Sequence, residues 1–226
     1  MLEPRHQVIF YPEDPVSLSQ ATQIRTSPVH LSTLPSALLC PHASYDMSLQ
    51  ALHKSFARTA GLRPNLVVVL VPLHQEVLMC DEPAFLFSLE GEGMVIGGKP
   101  IRFATDVLAH LKALYTPHLA LQESYFEEES AFELTLPFIN SYVPDTPVLG
   151  LAVGTCSKPQ LNVLERLLAS ITDYEKKTLF IVSSNANALL PNDVAAEHAY
   201  HLGECLRRGD TLLAAQPHHL ISCCNL

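Results

Sequence analysis

The stretch "LVVVLVPLHQ", Leu66 to Gln75, decides the fold. Its first six residues are all apolar, four of them valine, with no alternation of polar positions. A β-branched run of that kind is what a strand covered on both faces looks like. Pro72 then breaks the run, and His74 follows. About thirty residues earlier "LLCPHASYD", Leu38 to Asp46, repeats the pattern, with a short apolar run, Pro41 and His42.

Working outward, strands are expected at Ala37–Cys40, Phe85–Leu89, Val148–Val153 and Thr178–Ser183. Helices are expected at Met47–Ala60, Thr105–Tyr115, Glu129–Ile139, Gln160–Thr172 and Asp193–Arg208, with Asp14–Pro15 starting a further short helix. Strands and helices alternate without an internal repeat or a domain-sized linker. The expectation is one α/β domain over residues 1–226, with a mostly parallel or mixed central sheet flanked by helices.

Composition supports a globular chain. Of 226 residues, 48% are hydrophobic and 16% charged, with a net charge of −9 and only 14 Lys and Arg. The absence of a basic stripe argues against nucleic acid or an anionic membrane as the main partner. No apolar stretch reaches the roughly 18 residues of a membrane span, and the N-terminus lacks the apolar core of a secretion signal. The six cysteines form no CxxC pair and no regular spacing, so the expectation is a cytoplasmic protein with free thiols. The acidic tract "ESYFEEESAFE", Glu123 to Glu133, reads for most of its carboxylates as a solvated helix start or loop.

In open α/β sheets ligands bind beyond the carboxyl ends of the strands. His42 and His74 both follow such ends, and if their strands are neighbours the two loops converge. Two imidazoles make a minimal platform for Fe, Cu or Zn, which needs a third ligand. The plainer reading is a pair of histidines hydrogen-bonded to backbone. A thiolate of Cys223 or Cys224 could complete the set. His218 and His219, as sequence neighbours, point opposite ways in an extended chain and do not suit one ion. Asn185 and Asn187 in "SSNANALLPND" either line the crevice or form a capping turn before the next helix, the second being favoured. "GEGMVIGGKP", Gly91 to Pro100, has turn spacing and is not a phosphate-binding loop.

In this order "FYPEDP" (Phe10 to Pro15), "PHASY" (Pro41 to Tyr45), "VVVLVPLHQ" (Val67 to Gln75), "EESAFELTLPFI" (Glu128 to Ile139), "PVLGLAVG" (Pro147 to Gly154) and "LFIVSSNANA" (Leu179 to Ala188) resemble the Memo family. Its bacterial and archaeal members are called AmmeMemoRadiSam system protein B. The family pattern reads approximately FYP, PHAGY, GPSHH, EHSLExQLPF, PIxVG and SSDxSH. The resemblance implies a fold similar to class III extradiol ring-cleaving dioxygenases. It also implies a metal site of His42, His74 and a late cysteine, here Cys224 with Asn225 in the family's glycine position, or Cys223. The implied activity is that of a dioxygenase-like oxidoreductase using Fe or Cu, with Zn as the alternative.

Departures accompany the resemblance. Ser130 stands for the histidine of EHS, Asn185 and Ala188 for the aspartate and histidine of SSDxSH, Gln75 for the second histidine of GPSHH, and Ser44 for the glycine of PHAGY. Groups that could move protons near a metal are thereby removed. The family chain continues past its cysteine, whereas this one stops at Leu226, as a shortened member or a truncated product would. Three readings follow. The first is a His/His/Cys metal-dependent redox protein acting on a small molecule or peptide. The second is a metal-free binding or scaffold protein on a degenerate fold, with a protein partner on the pocket rim. The third is a zinc hydrolase with Glu129 as its catalytic base.

Overall fold

A computed structural model describes residues 1–24, 34–74, 84–154, 156–185 and 190–209. A six-stranded sheet forms the centre, in the order β1-β8-β2-β7-β3-β6. These strands are β1 (Ala37–Cys40), β2 (Leu66–Pro72), β3 (Leu86–Ser88), β6 (Leu119–Leu121), β7 (Val148–Val153) and β8 (Thr178–Ser183). β1, β8, β2 and β7 run parallel, β3 pairs antiparallel with β7, and β6 runs parallel to β3.

β2 shows why an unbroken apolar run lies at the centre. All seven of its residues are buried. Val67, Val69 and Val71 enter one core cluster with Leu52, Phe56, Phe132 and Phe138. Leu66, Val68 and Leu70 enter another with Leu108, Leu111, Leu167 and Ile171. Successive side chains of a strand face opposite ways, so one strand supplies both cores. Helices α2 (Tyr45–Phe56) and α5 (Ser130–Tyr142) cover the first face, and α3 (Thr105–Tyr115) and α6 (Lys158–Tyr174) cover the second.

Helix α1 (Pro15–Thr22) starts where the sequence places it, with Pro15 in the first turn and the Asp14 carboxylate accepting from the Ser17 N–H at 2.7 Å. A 3-10 turn, Ala57–Thr59, ends the segment expected to be helical to Ala60. Helix α4 (Glu123–Glu128) precedes α5, and α7 (Asn192–Arg208) ends with Gly209 in the left-handed conformation. Among the described residues no helix is long and apolar enough to cross a membrane.

Two local expectations change. "GEGMVIGGKP" is more than a turn: β4 (Gly93–Ile96) and β5 (Lys99–Arg102) form a hairpin closed by Gly97 and Gly98, with φ of 57° and 73°. That is the two-residue loop whose twist suits paired strands. At Gly93 a Cβ would lie 2.1 Å from the Ile101 carbonyl oxygen. The acidic tract is also not uniformly solvated, because Glu129 and Glu133 are buried. Ten of the 13 residues of α5 are buried, the mark of a helix enclosed on most sides, and that carries Glu133 inward.

Candidate functional site

β1 and β2 are not neighbours, since β8 runs between them. The two histidines still meet, because all three strands are parallel and present their carboxyl ends along one edge. Cys40 pairs in register with Ser183, so the chain leaving β1 starts beside the end of β8. The His42 N–H donates to the Asn185 side-chain oxygen at 3.0 Å, and His42 Nδ1 lies 3.1 Å from Ser183 Oγ. These two contacts draw His42 over the end of β8 toward β2. The ring centroids of His42 and His74 stand 5.1 Å apart, with planes at 79°.

His74 is held from the other side. Its Nδ1 lies 2.7 Å from Glu129 Oε2, and its main-chain N–H donates to the same oxygen at 3.2 Å. Glu129 Oε1 accepts from the Ala131 N–H at 2.9 Å, which makes the residue the N-cap of α5. The Glu129 side chain is 1% exposed and that of His74 is 37% exposed. His42 is buried at 5%. One ring is thus sealed and the other faces outward. Both are tied at Nδ1, the arrangement that orients Nε2 for coordination.

The donor chemistry fits a borderline transition metal: two imidazoles, each backed by a polar group that fixes its orientation. The third ligand expected from the sequence, Cys224, and its alternative Cys223 lie outside the described residues. So do Gln75, Asn187, Ala188, His218 and His219. Among the described residues no group of three or more His, Cys, Asp or Glu side chains is placed to hold a metal ion. Cys156, past the end of β7, donates its thiol to the Gly154 carbonyl at 3.2 Å and packs with the opposite core cluster.

Two residues acquire roles that their sequence context obscured. Asn185, favoured as part of a capping turn, instead holds the His42 backbone, and α7 begins without a side-chain cap. Glu133, one turn after Glu129, accepts from the N–H groups of Arg5 and His6 at 2.8 and 2.9 Å and from the Tyr11 hydroxyl at 2.5 Å. It ties the N-terminal segment to α5. The adjoining loop carries Val8 at a φ of 70°, uncommon for a β-branched residue. That loop is held in turn by the Tyr45 N–H donating to the Phe10 carbonyl at 2.8 Å.

The comparisons agree with this architecture. Uncharacterized protein JW3007 from Escherichia coli K12 superposes with a TM-score of 0.52 at 16% identity, over 81% of this chain and 84% of that one. At that identity the likeness speaks for the fold alone. No curated protein matches the sequence. The family model described as "Memo-like protein" matches residues 3–205, which include His42, His74, Glu129 and Ser183. The chain therefore belongs to the Memo-like protein family.

Proposed function

We propose that this chain is a divergent Memo-like protein whose His42 and His74 form the core of a non-haem metal site for Fe or Cu, with Zn as the alternative. The C-terminal thiolate of Cys224, or of Cys223, is the proposed third ligand. The observation that supports the reading best is the meeting of the two rings, each tied at Nδ1 by a buried side chain, Ser183 or Glu129. Bound there, such an ion would supply open coordination positions for oxygen or a small-molecule substrate, and so a dioxygenase-like redox chemistry. The chain's own part is to orient two imidazoles, to bury one of them, and to leave the other open to solvent. Elemental analysis of the cytoplasmically expressed protein, purified without a histidine tag, tests this. Fe, Cu or Zn retained in proportion to protein supports it, and background levels reject it.

A second reading is a metal-free binding protein on a degenerate dioxygenase-like fold, with a peptide or protein partner at the crevice rim. It is favoured by the neutral residues Ser130 and Asn185, where the family pattern has a histidine and an aspartate. A hydrolytic mechanism has less support. It needs Glu129 as a base, and both oxygens of that carboxylate already accept from His74 and the start of α5.

A further inference from the structure

We infer that Glu129 is a positioning residue that holds His74 in the orientation and tautomer of a metal-binding imidazole, an inference that rests on the metal reading above. Glu129 gathers donors from two elements: the ring and main chain of His74 on one oxygen, and the first turn of α5 on the other. Two bonds from one histidine to one oxygen restrict both the ring and the backbone that carries it. The carboxylate is 1% exposed, so water competes little for these bonds. A buried carboxylate behind an imidazole N–H fixes the tautomer with its lone pair on Nε2 and strengthens that nitrogen as a donor.

His42 is met by Ser183 Oγ at its Nδ1 and by the Asn185 side-chain oxygen at its main-chain N–H. Ser183 and Asn185 are neutral, and a hydroxyl can donate or accept, so Ser183 does not select a tautomer. Glu129 acts from behind the ring, through the Nδ1 and the main-chain N–H of His74.

Two substitutions separate positioning from structural support. Glu129→Gln keeps the side-chain length and removes the charge. Glu129→Asp keeps the charge and a good helix N-cap but is one methylene short of the His74 ring. The test titrates the full-length, metal-stripped chain with Co2+, whose visible absorption reports its ligand field. The site-specific signal is the part abolished by His74→Ala. Loss of an outer partner of this kind lowers affinity by about 10–100-fold. That loss is expected in both variants, with the thermal midpoint of the stripped Glu129→Asp protein close to wild type. If both Glu129 variants bind Co2+ as tightly as wild type, or if affinity falls only where the thermal midpoint falls, the positioning role is overturned and the metal reading stands. If wild type gives no site-specific signal, both readings are overturned together.

Discussion

His42 and His74 meet with ring centroids 5.1 Å apart although the strands that deliver them are separated by β8. The intervening strand makes the meeting possible, because its last residue, Ser183, and Asn185 just beyond it hold His42 in place. Ser183 is fully buried. Ser183→Ala removes that hydrogen bond, and a typical intramolecular hydrogen bond contributes about 0.5–1.5 kcal/mol. Urea unfolding at neutral pH should show a loss in that range, and an unchanged midpoint would mean that the contact contributes nothing.

Glu133 joins the N-terminal segment to α5 through two main-chain N–H groups and a phenol. Hydrogen bonds to a charged acceptor are worth about 1.5–3 kcal/mol each, and they do not simply add. Glu133→Ala should destabilise the chain by about 3 kcal/mol or more and speed hydrogen exchange at the amides of Arg5 and His6. Exchange at those amides as slow as in wild type would show that other contacts hold the segment.

Gly150 sits in β7 against the ring of Phe132, where an added Cβ would come within 2.6 Å of a ring carbon. Phe132 is itself buried, so it cannot swing away. Gly150→Ala should cost about 1–3 kcal/mol by overpacking, measured as a shift in the denaturation midpoint. A neutral or stabilising effect would mean that this part of the core is looser than described.

Stability should fall in alkali. Burial pushes the Cys40 thiol up to about 12, against the lowering effect of its bond to Ser183, and pushes Cys156 up to about 11. Burial, and then the Glu133 carboxylate, raise the Tyr11 phenol well beyond its ordinary range, and burial does the same to Tyr45. Groups whose folded-state values are raised lend stability that is complete below their unfolded values, about 8.5 for thiols and 10 for phenols. That stability is lost as pH climbs through the folded values. Urea midpoints should be level from about pH 7 to 8 and decline from about pH 9 upward. A midpoint unchanged at about pH 10.5 would contradict the burial of these groups.

Much of the fold is legible in the sequence where one physical signal dominates. The strands Ala37–Cys40, Val148–Val153 and Thr178–Ser183 and the helix Thr105–Tyr115 occur with the bounds their patterns suggest. The β4–β5 hairpin is hidden because its glycines read as a loop, although a Gly-Gly pair such as Gly97–Gly98 is a two-residue hairpin signal. Strand order is not written in chain order, so nothing local discloses that β8 lies between β1 and β2. At the site, His42 and His74 stand out by their place after strands. Glu129 and Glu133 lie in an acidic tract whose charge conceals that they sit four apart beside the buried face of α5. Asn185 looks like turn chemistry because the N–H it accepts from is 143 residues away in sequence.

The most direct test of the metal reading is the metal content of the tag-free chain beside its His42→Ala and His74→Ala variants, each checked for a retained cooperative melting transition. Wild type should keep Fe, Cu or Zn in fixed proportion to protein, and each substitution should abolish retention while the fold survives. Equal metal content in all three proteins, or none above background in wild type, would contradict it.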